Sequence, residues 1–204
     1  MSFEEERAAE KTVLMNKKYM MLPAALVVAT AVVATIQLWP SPLKDLRAQN
    51  LCLGMLTDKT AGRLYDGKGG RLTVDEHKSG ASGADPIFST ICFVNRDPGG
   101  DAADRLQFTL DARPASTLND PVKGATRLAD GHSGWVSPRQ SEVQLPVDCP
   151  KKMKADAEYV TITLKVAPGV VVAENWDDKA LVEASRTVVL EATEHLARQY
   201  DCGA

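Results

Sequence analysis

The longest apolar run of the chain lies near its N-terminus. Twenty residues from Met20 to Trp39 carry no charge. A helix of that length spans about 30 Å, which matches the hydrocarbon core of a bilayer. Tyr19 and Trp39 bracket the run, as aromatic residues do at membrane interfaces. The pattern predicts a transmembrane helix at residues 19–39, with the membrane bilayer as a partner.

A cleaved secretory signal is the alternative interpretation of this run. Ala29-Thr30-Ala31 has the small-x-small form of a cleavage site. However, apolar sequence continues to Trp39, where a cleaved signal would give way to polar chain. We therefore expect four segments, with cleavage as the open alternative: a tail at residues 1–18, the helix at 19–39, a proline-containing linker at 40–46 and a domain at 47–204.

Alternation of apolar and polar residues predicts five strands in this domain. Strict alternation marks Leu106–Leu110, Val143–Val147 and Val160–Val166. A nearly continuous apolar run marks Ile87–Val94, and Leu72 with Val74 marks the fifth strand. Strict alternation buries one face and leaves the other wet, which is typical of an antiparallel sheet covered on one side. Gly/Ser/Asp-rich stretches between the strands, such as Asn119–Gly134, predict loops.

Helical patterns flank these strands. The first covers residues 46–65 and ends at the turn cluster Asp66–Gly70. The second follows a cap at Asn175 or Asp177. Its apolar residues fall within an arc of roughly 120° at helical spacing; they are Leu181, Val182, Val188, Val189, Ala192, Leu196 and Tyr200. The predicted fold class is α+β: the transmembrane helix, then an antiparallel sheet of about five strands with an N-terminal and a C-terminal helix packed on one face.

All four cysteines follow the apolar run: Cys52, Cys92, Cys149 and Cys202. An even number on one side of a membrane indicates two disulfides in an oxidising compartment. Free buried thiols and a metal site are the alternatives, although no two cysteines are close enough for a C-x-x-C motif. Of three possible pairings, the plainest joins neighbours, Cys52 to Cys92 and Cys149 to Cys202, so that each bond ties a helix to a strand.

The charges around the apolar run favour the same orientation. Basic residues are more numerous before it, at Arg7, Lys11, Lys17 and Lys18, than just after it, at Lys44 and Arg47. Such a bias favours a cytoplasmic N-terminus. The predicted localisation is the cell membrane, with a single pass and the C-terminal domain outside the cytoplasm.

Cysteine placement carries a resemblance to a protein group. The chain resembles the uncharacterised cysteine-paired lipoproteins and membrane-anchored proteins of high-GC actinobacteria. The matching stretches are Leu51–Leu56, Ile91–Val94, Leu145–Cys149 and Gln199–Gly203. Two departures are the missing lipid-attachment cysteine and Leu53, which stands where an aromatic residue is often found. The resemblance implies fold and location, and no activity.

The net charge and the aromatic content of the chain argue against nucleic-acid binding. The net charge is −3 and aromatic residues make up 5% of the chain. Nucleic-acid binding usually needs a basic patch and stacking aromatics, so we expect no nucleic-acid partner. No motif for a cofactor is present, and we expect none.

Three motifs resemble sites that carry chemistry in other proteins. Gly131–Trp135 resembles a nucleophile elbow, but the elbow needs a glycine where Trp135 stands, so a surface turn is favoured. Glu191 and His195 share a helix face, which predicts a solvated pair, because a zinc site needs a third ligand. Asn95–Asp101 is acidic but lacks the ligand spacing of a calcium loop. We therefore predict no catalytic residues and no metal-binding residues.

Trp135 and Trp176 lie in loop-like sequence beside glycine or aspartate. Either both pack at the edge of a small core, or they contact a partner protein or glycan, since tryptophan is favoured at hot spots.

We expect a membrane-anchored, non-catalytic binding or scaffolding domain at the cell envelope, with an envelope protein as partner. An extracytoplasmic hydrolase and a small sensory input domain are the alternatives.

Overall fold

The structure is a computed structural model that describes residues 50–68, 70–79, 89–97, 99, 103–129, 131–170 and 177–203. The predicted tail, transmembrane helix and linker lie outside these residues, and so does the alternative cleavage site. Within the described ranges, no helix is both long enough and apolar enough to cross a membrane.

Ten elements follow one another along the described chain. They are α1 (Asp58–Ala61), β1 (Arg71–Ser79), β2 (Ser89–Asp97), β3 (Arg105–Ala115), β4 (Thr126–Arg127), β5 (Gly134–Val136), β6 (Gln140–Gln144), α2 (Cys149–Lys152), β7 (Tyr159–Val166) and α3 (Asp178–Gln199). The α+β class is thus confirmed, together with the antiparallel sheet and the C-terminal helix.

The strands form a single sheet in the order β1-β2-β3-β7-β6-β5-β4, and every neighbouring pair is antiparallel. The last strand in sequence, β7, therefore lies in the middle of the sheet. One bulge interrupts the ladder between β2 and β3, where the register shifts between Val94 and Asn95. The shift places both Gln107 and Phe108 in the buried interior.

The core lies between the sheet and the segments that cover one of its faces. Helix α3 packs against β5, β6 and β7. Asp177 caps α3 by accepting a hydrogen bond from the Lys179 N–H at 3.0 Å. The apolar arc predicted for α3 faces this core, with Leu181, Val188, Val189, Ala192 and Leu196 buried and with Val182 and Tyr200 partly buried.

The predicted N-terminal helix is wrong for most of its length. Between residues 50 and 65 the chain forms only the four-residue helix α1. It is preceded by a tight turn closed by a bridge between Leu51 and Leu56. Cys52, Leu53 and Gly54 all have positive φ angles, of 56°, 58° and 92°. Because consecutive left-handed residues cannot continue a right-handed helix, the apolar spacing of this stretch serves packing instead of a long helix.

The sheet has seven strands where five were predicted. The five predicted strands are present as β1, β2, β3, β6 and β7, and the two additional strands, β4 and β5, are two and three residues long. Strand β4 and the start of β5 fall in the stretch predicted as a loop. Strand β6 ends at Gln144, and Val147, predicted to continue it, is exposed.

The expectation that one face of the sheet is exposed to solvent holds for only part of the sheet. On β7, Thr161 and Thr163 are buried although they alternate with the core residues Val160, Ile162 and Leu164. The burial of both threonines shows that neither face of β7 is open to solvent at these positions. The predicted alternation correctly identifies the core residues and misses the burial of the opposite face.

Both disulfides join neighbouring cysteines, as the plainest pairing predicted. Cys52 bonds Cys92 and Cys149 bonds Cys202, with Cα–Cα distances of 5.3 and 5.1 Å. The first ties the left-handed turn to β2, and the second ties the start of α2 to the residues after α3. The expectation that each bond joins a helix to a strand is therefore wrong, because Cys52 lies in a turn and Cys149 in a short helix.

Candidate functional site

The strand register aligns several polar residues on the sheet face opposite α3, called here the outer face. One row crosses all seven strands; it runs His77, Ile91, Asp111, Thr163, Glu142, Trp135 and Arg127. Neighbours in the row are about 5 Å apart between strands. The row includes Trp135, which was singled out in the sequence, near one end, and His77 at the other end.

The half of the outer face over β5 and β6 is covered by the chain itself. Trp135 is 2% exposed and Glu142 is 1% exposed. The Trp135 indole N–H donates to the Asn119 carbonyl oxygen at 3.1 Å. The Asn119 backbone N–H donates to Glu142 Oε1 at 2.9 Å, and the Asn119 side-chain amide donates to Glu142 Oε2. Each oxygen of the Glu142 carboxylate thus accepts a hydrogen bond, which allows it to be buried.

Trp135 accordingly occupies an enclosed position. Its ring lies under the segment that contains Asn119. Of the two roles predicted for Trp135, this placement fits packing at the edge of the core. A contact between Trp135 and a partner stays a prediction. Trp176, the other residue predicted to make such a contact, lies outside the described residues.

Asp111 and Thr163 form the centre of the row. Burial raises the pKa of Asp111, and the nearby charges of Arg113 and Lys165 only partly oppose this effect. Arg113 Nε lies 3.6 Å from Asp111 Oδ2. Asp111 Oδ1 and Thr163 Oγ1 are buried without a hydrogen-bond partner in the described part of the chain. Thr163 is buried and so not accessible to a substrate, whereas Asp111 is partly exposed.

The half of the outer face over β1, β2 and β3 is open. Ile91 and Leu106 are 36% and 41% exposed. Between them, the Phe93 ring meets the His77 ring edge-on with centroids 5.8 Å apart. His77 Nε2 also lies 3.2 Å from Asp75 Oδ2. A small apolar patch with charged neighbours is therefore accessible on this half of the outer face.

The open half ends at the free edge of β1. All nine residues of β1 pair with β2 on one side, and no strand in the described ranges pairs with the other side. Leu72 and Val74 are only partly buried, and they pack against the core from this edge. The Leu53 N–H donates to Glu76 Oε1 at 2.7 Å, which holds the left-handed turn against β1.

Glu191 is only partly exposed and is hydrogen-bonded to residues around the start of α1, so the prediction of a solvated pair is wrong. Its Oε1 accepts a hydrogen bond from the Thr57 N–H at 2.7 Å, and its Oε2 accepts one from Thr60 Oγ1 at 2.5 Å. Burial by itself raises the pKa of Glu191, but these hydrogen bonds and the nearby charge of His195 outweigh it, so that the pKa lies below its ordinary value. His195 is buried as well. Glu191 therefore links α3 to the start of α1.

The Gly131–Trp135 stretch is a turn that leads into β5, as expected for the surface-turn interpretation. His132 and Ser133 are exposed. Gly134 has a φ of 153°, and a Cβ placed there would overlap the Glu142 carbonyl oxygen and lie 2.9 Å from Val143 Cα. The glycine is therefore required by the close approach of β6, and not by a nucleophile.

The acidic stretch at the end of β2 is described at Asn95, Arg96, Asp97 and Gly99. Asp97 Oδ1 accepts a hydrogen bond from the Gly99 N–H at 2.7 Å, which forms a local turn. Among the described residues, no group of three or more His, Cys, Asp or Glu side chains is arranged to hold a metal ion.

Comparison with protein-family models, curated proteins and solved structures finds no match to this chain. The resemblance to cysteine-paired actinobacterial envelope proteins therefore stays a prediction. Sequence patterns did not indicate the free edge of β1 or the contact of Asn119 with Glu142, because both depend on strand order and register. The charged, alternating sequence of β1 was the one available signal, since edge strands often carry charges.

Proposed function

We propose that residues 47–204 form a non-catalytic binding or scaffolding domain outside the cytoplasm, anchored in the cell membrane by a helix at residues 19–39. The observation that carries this proposal is the disulfide framework. All four cysteines are paired and no free thiol is left. Disulfides of this kind persist in oxidising compartments and are rare in the cytosol.

The open half of the outer face supports a binding role. It combines the exposed side chains of Ile91 and Leu106 with the charged Asp75 and with His77. The remaining sheet surfaces in the described part are covered by α3, by the segment before β1 and by the segment around Asn119. A partner would therefore meet β1, β2 and β3.

The short linker supports a partner close to the membrane. Seven residues at 40–46 reach at most about 25 Å when fully extended. A domain on such a tether samples only the space next to the bilayer. The proposed partner is accordingly an envelope protein whose binding segment lies near the membrane surface.

Location is tested first with the full chain. A reporter that is active only outside the cytoplasm, fused after Ala204, should be active, while a cytoplasmic reporter at the same position should be inactive. The intact mass of the membrane-extracted protein should include residues 15–31. A mature form that begins near Val32 would instead indicate a secreted protein, and an inactive outer reporter would contradict the proposed orientation.

Binding is tested by site-specific photocrosslinking in intact membranes. A photoreactive residue in place of Ile91 should give a discrete adduct with an envelope protein, because this side chain is exposed on the open half of the outer face. The same residue in place of the exposed Glu194 on α3 is the matched control and should give none. Identical adduct patterns from both positions, or no adduct from Ile91, would count against a binding role for this face.

A further inference from the structure

We infer that the free edge of β1 binds an extended segment of a partner protein, which adds to the sheet as a further strand. This inference rests on the proposed binding function and specifies the chemistry of the partner. The relevant feature is the difference between the two ends of the sheet. The described strand at one end, β4, has two residues, whereas β1 at the other end has nine.

The hydrogen-bonding groups of the edge determine what can cover it. A strand edge presents a row of backbone N–H and C=O groups. No residue in the described ranges pairs with those of β1 on its outer side. The group that satisfies such a row at the right spacing is another extended backbone, about 4.8 Å away. A polypeptide segment is therefore a better fit than a small molecule or a glycan.

The side chains of β1 specify the partner further. Leu72 and Val74 point to the core face and are only partly buried, so that a strand carrying apolar residues at alternate positions would complete their cover. Glu76, on the same face, already accepts the Leu53 N–H. On the outer face, Asp75 is exposed and lies beside His77. The preferred partner segment therefore has a basic residue opposite Asp75.

A second copy of this chain is a poorer fit to the same edge. Asp75 is the central residue of β1, so full-length antiparallel pairing of two copies would place Asp75 opposite Asp75. The same register would place Val74 opposite Glu76. Like charges at directly opposed positions are destabilising, and opposite charges are stabilising. The charge pattern thus favours a partner of different sequence.

The test uses the full-length protein in lipid nanodiscs and a fluorescent nonapeptide. The peptide alternates threonine and valine and carries lysine at its fifth position; the control peptide carries glutamate there. Fluorescence anisotropy should show about fivefold tighter binding of the lysine peptide. The variant Asp75→Lys should reverse the preference. Equal affinity of both peptides, or a preference that Asp75→Lys leaves unchanged, would overturn the proposed pairing.

Backbone hydrogen bonding is tested with two methylated peptides. N-methyl groups are placed on alternate residues, so that each peptide loses the N–H groups along one of its two edges. Only one of the two should lose binding, because only one edge faces β1. An equal effect of the two methylations would overturn strand addition.

Hydrogen exchange locates the bound peptide. Amides of residues 71–79 that face outward should exchange at least about tenfold more slowly with saturating lysine peptide, while amides of α3 should be unchanged. Slow exchange of β1 without peptide, in a sample that forms dimers, would assign the edge to a second copy instead. Peptide binding to the purified protein does not depend on the cellular compartment, so this result is separable from the reporter test of location.

Discussion

Glu191 accepts a hydrogen bond from the backbone N–H of Thr57, a residue 134 positions earlier in the chain. The same carboxylate accepts the hydroxyl of Thr60, so one side chain of α3 supplies acceptors at the start of α1. Helix α1 has only four residues and cannot be stable alone. This contact and the Cys52–Cys92 bond therefore hold the segment before β1 in place.

Replacing Glu191 by glutamine tests this contact. E191Q keeps one acceptor oxygen but loses the charge, so we expect the free energy of unfolding to fall by about 1–2 kcal/mol. The measurement is urea unfolding of the oxidised protein. E194Q is the matched control, since Glu194 is exposed on the same helix and forms a surface ion pair with Arg198; its effect should stay below about 0.5 kcal/mol. Equal effects of the two substitutions would contradict the proposed role of Glu191.

The pKa of Glu191 predicts how this contribution changes with pH. Its folded-state pKa lies below the ordinary value of 4.5, so the unfolded chain binds the proton more readily. The stabilisation is therefore complete above pH 4.5 and is lost as the pH falls through the folded-state pKa. The difference in unfolding free energy between wild type and E191Q should be constant at neutral pH and shrink in acid. A difference that persists unchanged in acid would refute this assignment.

The contribution of Asp111 to stability should change with pH in the opposite direction. Burial raises its folded-state pKa above 3.8, so the folded protein binds the proton more readily and Asp111 makes stability fall as the pH rises through this range. We expect Asp111→Asn to be more stable than wild type at pH 7, with the gain vanishing below pH 3.8. Thermal unfolding at several pH values measures this. A variant that is less stable at pH 7 would show that the contact with Arg113 outweighs burial.

Gly134 is predicted to be intolerant of any side chain. Gly134→Ala should lower the free energy of unfolding by about 2–4 kcal/mol, because its Cβ would overlap the backbone of β6. Gly131→Ala provides the control, since Gly131 has a φ of 83° and open space around it. This change should cost about 1–2 kcal/mol, because it introduces only the strain of a side chain on a left-handed backbone. If the two variants were equally stable in urea, close approach to β6 would not be the reason for Gly134.

The Cys149–Cys202 bond should hold the C-terminal end of α3. Cys202→Ser should cost about 2–5 kcal/mol, the usual loss for a disulfide in a small secreted domain. Leu196→Asp should do comparable harm by burying a charge in the same interface, whereas Arg198→Gln at an exposed position should not. Limited proteolysis should cut the Cys202 variant first near residues 196–203. Initial cleavage elsewhere would show that the bond is not what secures this end.

Sequence periodicity was sufficient for the regular part of the fold. The apolar arc of α3 and the alternation in β3 and β7 reflect burial against one core, so these elements can be read from spacing alone. Strands β4 and β5 could not, because two or three residues are too few to show a period. Cysteine count restricted the disulfides to three pairings, and chain order favoured the pair that the structure contains.

The left-handed turn at Cys52–Gly54 and the outer-face row were decided by tertiary structure. Leu53 has no intrinsic preference for a positive φ, so its conformation depends on the bond from Cys52 and the carboxylate of Glu76. Residues from His77 to Trp135 share one row only because β7 inserts between β3 and β6. The spacing of apolar residues in the sequence by itself determined which of them face the core. Strand order and register determined which polar residues meet, because those contacts join positions far apart in the chain, where local spacing carries no information.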